Sequence, residues 1–419
     1  MRGILPFVTL ILLVVSSGIP DHELPRVEPK VVGLSDKVLD ELQPGLAKLI
    51  ADNEIAGAVV VVGRHGKLAR VEAVGCRDLA SKAPMTEDTI FAIASMTKPI
   101  TCIAAMQLVE EGKLSLDDPV EKFVPAFRNL RVLGDVKDDT AAVLATIPVK
   151  RTMLVRHLFA HTSGLSYGFA ITGSETEQRM IRAYSKANLS AARLKTISEL
   201  PAELARLPLA HEPGENWTYG LSHDVLGYVI EVVTGQTLNQ FLRDRIFAPL
   251  DMRDTSFLVP ESSRDRVATI YTTTGAAAGP LTALPRTFGS ATYFSGGGGL
   301  FSTARDYSRF SQMLLSGGEF EGKRLVKRDT LALMTSNQIG DQMVFGVMKY
   351  GLGFGMMMSQ PTPGAPEPAL DFYGWAGAYS TSFWVDPRRD IFGVVMTQVM
   401  PVSQSTQFVH QAVNKSVEN

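Results

Sequence analysis

At 419 residues the chain can bury a sizeable core, and one large domain or two interlocked ones suit it better than a string of small modules. Lysine and arginine number 41 against 43 aspartates and glutamates, with no basic block, so nucleic acid and anionic membrane surfaces are poor candidates as partners. The two cysteines, Cys76 and Cys102, could pair in an oxidising compartment, but each reads better as a small buried hydrophobe, and no metal site is suggested.

Met1-Arg2 is a short positive start, residues 4–15 are an uncharged apolar run, and Ser16-Ser17-Gly18 is a small-residue stretch suited to cleavage. This predicts a signal peptide over residues 1–18 and export to a periplasm or the outside. A retained anchor is the lesser reading, because the apolar run is short for a bilayer.

After a proline-rich lead, Ser35 caps a predicted helix through Leu39, Leu42, Leu46, Leu49 and Ile50, interrupted at Pro44-Gly45. Two strands follow, over 56–62 and 68–74, joined as a hairpin across 63–67.

The stretch Phe91-Ala92-Ile93-Ala94-Ser95-Met96-Thr97-Lys98-Pro99 comes next. A proline inside a helix removes the bond to the carbonyl four residues back, so Pro99 places Ser95 at the helix entrance. Lys98 then lies about one turn beyond, on the same face. A helix N-terminus favours a developing oxyanion. The following residues, 100–109, are apolar almost all round, which marks a buried helix. Burial disfavours an ammonium at its mouth and makes a proton acceptor available beside a hydroxyl.

That helix ends at Gly112, and 113–345 carries helical periodicity with few strand signals, over 153–160, 201–207, 224–234, 237–247 and 306–315. Thr237 with Gln240 and Thr303 with Asp306 have capping-box spacing. Gly and Ala loops at 272–280 and 295–299 separate these helices. Strands return over 354–358, 380–385 and 391–397, and a helix over 406–417 closes the chain. The pattern predicts an α/β (α+β) fold with an antiparallel sheet flanked by helices. That domain is formed by 19–112 and 346–419, its strands drawn from both termini, with an all-helical domain inserted between them.

Two further constellations carry chemistry. In Pro213-Gly214-Glu215-Asn216-Trp217-Thr218-Tyr219-Gly220-Leu221-Ser222-His223-Asp224, a turn presents Tyr219 just before a helix capped by Ser222. In Tyr373-Gly374-Trp375-Ala376-Gly377-Ala378-Tyr379, read as leading into a strand, the glycines allow a close backbone approach and a second oxyanion donor.

Competing signals are weaker. Gly164-Leu165-Ser166-Tyr167-Gly168 matches Gly-x-Ser-x-Gly, but that nucleophile elbow needs a strand before the serine, and here a helical pattern precedes it. His157 and His161 lack a third ligand and read as structural. His223 and Asp224 are neighbours on a helix and point apart, which argues against a triad with Ser166. The glycines 296–299 lack the ending of a phosphate loop and read as close packing near the cleft.

The three constellations, in this order, resemble the serine β-lactamase and penicillin-binding protein superfamily, in its class C-like branch and closest to the family VIII carboxylesterases. His157-Leu158-Phe159-Ala160-His161-Thr162-Ser163-Gly164-Leu165 and Gly297-Gly298-Gly299-Leu300-Phe301-Ser302-Thr303 also look like that branch. The resemblance implies that Ser95 is the nucleophile, that Lys98 and Tyr219 form a proton relay, and that the backbone N–H groups of Ser95 and Ala378 hold the oxyanion. Trp375, Ala376 and Gly377 stand where β-lactamases carry Lys-Thr-Gly, and Leu221 stands where the Tyr-x-Asn motif has its amide. These would line the substrate. The loss of both polar groups favours an esterase acting on small esters, with no cofactor or metal, over a β-lactamase, D,D-peptidase or transacylase. A catalytically idle binder of cell-wall fragments is disfavoured by the intact Ser95, Lys98 and Tyr219.

Overall fold

The computed structural model describes residues 23–139, 143–169, 173–185, 187, 189, 193–273, 279–359 and 369–418. The predicted signal segment, 1–18, and part of the predicted loop 272–280 lie outside them.

The centre is an eight-stranded sheet. Its strands are β1 (Gly57–Arg64), β2 (Lys67–Asp78), β3 (Ala83–Pro84), β4 (Lys349–Tyr350), β5 (Gly355–Met358), β6 (Leu370–Ala376), β7 (Ser382–Asp386) and β8 (Ile391–Met396). They run in the order β4-β5-β6-β7-β8-β1-β2-β3, each neighbouring pair antiparallel. The seam between β8 and β1, with Val60 opposite Val395, joins the two ends of the chain. The β1–β2 hairpin turns through His65 at φ 53° and Gly66 at φ 72°, the left-handed pair a two-residue turn requires.

Strand β1 is apolar without alternation because both its faces are covered. Val59 and Val61 pack into the core that also holds Phe310, Phe383 and Val394. Ala58, Val60 and Val62 pack on the other side with Leu42, Leu46, Val409 and Val413. Burying each such valine contributes about 1.5–3 kcal/mol. The second face is covered by helices α1 (Asp36–Leu39), α2 (Leu42–Ala51) and the C-terminal Ser405–Ser416. The expected break at Pro44-Gly45 falls instead at Asp40-Glu41, because a proline is tolerated in the first turn of a helix and Pro44 sits there in α2.

The first face is covered by helix Ala304–Leu315, which lies on β8, β1 and β7 although it belongs to the middle segment of the chain. Beside it runs α3 (Thr97–Glu110), buried from Thr97 to Leu108 and ended by Gly112 at φ 68°. Against α3 packs α5 (Ser222–Thr234), which in turn packs against α4 (Val155–Phe159). The middle segment is mainly rather than wholly helical. It holds strand pairs such as Arg131–Leu133 with Thr146–Pro148, too short to give a period-two pattern. Thr237 and Gln240 form the expected reciprocal cap. Thr303 caps the Asp306 N–H, while the Asp306 carboxylate turns instead to Asp254 N and Thr255 Oγ1.

The stretch around Trp375 leads into a strand as expected, β7, and its first part, Tyr373 to Ala376, also completes β6, with which β7 pairs.

Candidate active site

Ser95 sits in a 3-10 turn, Ala94–Met96, that runs directly into α3. The preceding Ala94 is held at φ 43°, a left-handed conformation that costs a non-glycine residue about 1–2 kcal/mol. The small side chain keeps that turn free of further crowding. Tyr307 OH, donating to Met96 O at 2.8 Å, and Ile93 N, donating to Leu300 O at 3.0 Å, fix the turn from two sides.

Lys98 is 0% exposed. Its Nζ donates to Ser95 Oγ at 3.1 Å, to Tyr167 OH at 2.9 Å and to Gly297 O at 2.6 Å. Thr101 Oγ1 donates to Gly296 O at 2.8 Å and ties the glycine loop to α3, as expected of close packing near the cleft. Cys102, one turn on, is a buried free thiol that burial pushes up from its ordinary value; Cys76 is also free.

Tyr219 faces the lysine with its ring, whose centroid is 4.7 Å from Nζ. Its hydroxyl accepts a hydrogen bond from Trp375 Nε1 at 3.2 Å. The loop that carries Tyr219 is stitched to the loop that carries Tyr167. Thr218 N donates to His161 O at 2.8 Å, and the buried hydroxyls of Ser163 and Ser222 are 2.8 Å apart. Leu221 is buried at the start of α5.

The turn after β6 lies against the serine. Gly377 N donates to Thr381 O at 2.7 Å, Thr381 Oγ1 donates to Ile93 O at 3.3 Å, and a Cβ on Gly377 would stand 2.4 Å from Ile93 O. Only glycine allows that approach. Ala376 and Ala378 are exposed at the mouth, and Trp375 is nearly buried behind them.

Beside Tyr219 opens a cavity of about 380 Å³, lined by Trp217, His211, Met180, Phe169, Met343 and Phe345 among others. Phe169 and Phe345, at its rim, are 51% and 45% exposed. Trp217 stacks on Tyr219, and Phe345 on Trp375. The cavity beside Tyr219 is therefore walled in part by aromatic rings.

Other candidates sit elsewhere. Ser166 Oγ accepts from Gly168 N at 3.0 Å in a loop that follows α4, with no strand ahead of it. His157 Nδ1 accepts from Leu154 N at 3.1 Å, and His161 packs edge-on against His223. His223 and Asp224 diverge, Asp224 turning to Ser295 and Gly297. Tyr167 is the contact that sequence reasoning missed. It lies in the Gly-x-Ser-x-Gly run, two residues past the motif ending at Leu165, and only the fold brings it to the lysine.

A family model described as Beta-lactamase matches residues 42–415. The chain belongs to this family. Protein Rv1367c of Mycobacterium tuberculosis is 35% identical over 381 residues, covering 87% of this chain and 90% of that one. Esterase EstB of Burkholderia gladioli is 30% identical over 371 residues, covering 83% and 87%. Among solved structures, EstCE1, a hydrolase with promiscuous acyltransferase activity, superposes with a TM-score of 0.73 at 26% identity, covering 90% of this chain and 98% of that one. The chain is thus a serine hydrolase of the β-lactamase superfamily, with the mixed sheet-and-helix fold of that superfamily.

Proposed function

We propose that the chain is a carboxylesterase that cleaves uncharged, short-chain carboxylic esters through an acyl-Ser95 intermediate. Ser95 Oγ attacks the ester carbonyl, and Lys98 Nζ, 3.1 Å away, is placed to take its proton. The helix entrance and the turn at Ala378 supply N–H groups for the oxyanion. The alcohol leaves with a proton returned through Lys98 and Tyr219, and water resolves the acyl-enzyme.

The observation that carries this reading is the Trp375 indole. Its single donor is spent on Tyr219 OH at 3.2 Å, so the position where β-lactamases carry a cation offers a substrate an apolar face. A carboxylate-bearing β-lactam forgoes a charge-assisted hydrogen bond there, about 1.5–3 kcal/mol or roughly ten- to a hundredfold in binding. A neutral ester forgoes nothing, and its alkoxide is a better leaving group than the unprotonated nitrogen anion of an amide. The aromatic walls of the neighbouring cavity favour the same substrates. EstB, named an esterase, supports ester cleavage, and EstCE1 supports transfer to an added alcohol as a side reaction.

The test is kcat/KM for nitrophenyl butyrate against nitrocefin on one enzyme preparation. The ester is expected to be favoured by at least a hundredfold, and Trp375→Lys to narrow the gap. Nitrocefin equal to or better than the ester would make the chain a β-lactamase.

A further inference from the structure

Lys98 is fully buried, and all three of its acceptors, Ser95 Oγ, Tyr167 OH and Gly297 O, are uncharged oxygens. A buried ammonium without a counter-charge is costly. Behind Gly297 lies Asp224, on the first turn of α5 and 1% exposed. Its Oδ1 accepts from Ser295 Oγ at 2.5 Å and from Gly297 N at 3.3 Å. Its Oδ2 has no hydrogen-bond partner and stands 2.3 Å from where a Cβ on Gly297 would be. Gly297 is thus gripped at its N–H by the carboxylate and at its C=O by the lysine, and only a glycine lets the carboxylate come so near.

Two histidines, three tyrosines and a cysteine beside this cluster are held neutral by burial. Burial holds His161 and His223 well below the ordinary imidazole value, so neither is protonated. Burial holds Tyr167, Tyr293, Tyr350 and Cys102 up, so none is ionised. The Tyr219 hydroxyl oxygen accepts from Trp375 Nε1. Asp224 is itself raised by burial, against which the Ser295 hydroxyl, the Lys98 charge and the Gly297 N–H favour its ionised form.

We propose that Asp224 is a positioning residue for the hydrolysis, its carboxylate serving as the counter-charge to Lys98 across Gly297. The proposal rests on the reading of Ser95 as nucleophile with Lys98 beside it. For Ser95 to react, the Ser95–Lys98–Tyr219 cluster must give up a proton, and a fixed negative charge nearby opposes that loss whichever member releases it. Asp224 therefore sets the acid limb of the rate profile without touching the substrate.

The test is Asp224→Asn, which keeps an oxygen for Ser295 Oγ and Gly297 N but removes the charge. Two rates are followed from pH 5 to 10: kcat/KM for nitrophenyl butyrate, and Ser95 labelling by a fluorophosphonate located by mass spectrometry. Both acid limbs are expected to move to lower pH by about one unit or more. A lowered kcat with an unshifted limb would mean a merely structural role and overturn the proposal. Absence of a Ser95 adduct in the unmutated enzyme would instead sink the nucleophile reading. If Asp224→Asn does not fold, Ser295→Ala removes a donor that favours the carboxylate, and a smaller shift in the same direction is expected; an unshifted limb there overturns the proposal equally.

Discussion

Lys98 Nζ and Tyr167 OH are 2.9 Å apart in space and 69 residues apart in the chain, whereas Tyr219 meets the same lysine through its ring. The two tyrosines therefore have different parts in the proposed relay. Tyr167 fills one of the three acceptor positions around the lysine and orients it. Tyr219, held by Trp375 at the edge of the cavity, is placed to return a proton to the leaving alcohol.

Tyr219→Phe is accordingly expected to cost at least about a hundredfold in kcat, and Tyr167→Phe about tenfold, since Lys98 keeps two acceptors without it. Lys98→Ala should cost at least as much as Tyr219→Phe, and the Lys98→Ala/Tyr219→Phe double variant little more, as for groups acting as a unit. Steady-state kinetics on a nitrophenyl ester checks this. Strict multiplication of the single losses would mean that the residues act independently, and a Tyr167→Phe loss larger than that of Tyr219→Phe would exchange their roles.

The serine assignment has its own comparison. Ser95 Oγ accepts from the buried lysine, while Ser166 Oγ, also buried, accepts a local turn bond from Gly168 N. Ser95→Ala should abolish ester hydrolysis and fluorophosphonate labelling, and Ser166→Ala should retain most of both. The opposite result would move the nucleophile to Ser166.

How far the sequence disclosed this site follows from where each restraint comes from. Ser95 and Lys98 were legible because their relation is local, one turn of a helix whose start Pro99 fixes. Strand β1 was legible because a run of valines covered on both faces needs no alternation to be recognised. Strand β6 was missed because Leu-Asp-Phe-Tyr-Gly-Trp-Ala alternates poorly and holds a glycine. Tyr167 and Asp224 escaped for a different reason. Their partners are the glycine loop and α3, brought near by tertiary packing that no spacing in the chain encodes.

We propose, from the charged start, apolar run and small-residue stretch of residues 1–18, that the chain is exported. Expressed in a bacterial host, the mature protein should begin near Ile19 and be found in the periplasm or medium by N-terminal sequencing. Recovery from the cytosol with residues 1–18 intact would overturn this.

A pH dependence of stability follows from His157. Its Nδ1 accepts from Leu154 N at the start of α4, so the ring acts as a cap only while that nitrogen is unprotonated. Burial, together with the nearby Arg151 and Arg156, holds the imidazole down to about 4 from an ordinary value of 6.5. In the unfolded chain the same ring takes up a proton below pH 6.5, and in the folded chain it does so only near pH 4. The unfolded state thus binds more protons in that window, and the stability that the neutral ring contributes is complete above it and lost as the pH falls through it. A glutamine at this third helical position accepts the same backbone N–H without titrating. His157→Gln should therefore match the unmutated protein in Tm at pH 7.5 and lose less Tm between pH 6.5 and 4. Parallel Tm curves for the two proteins across that range would show that His157 titrates alike in the folded and unfolded chains, and would remove it as a source of acid sensitivity.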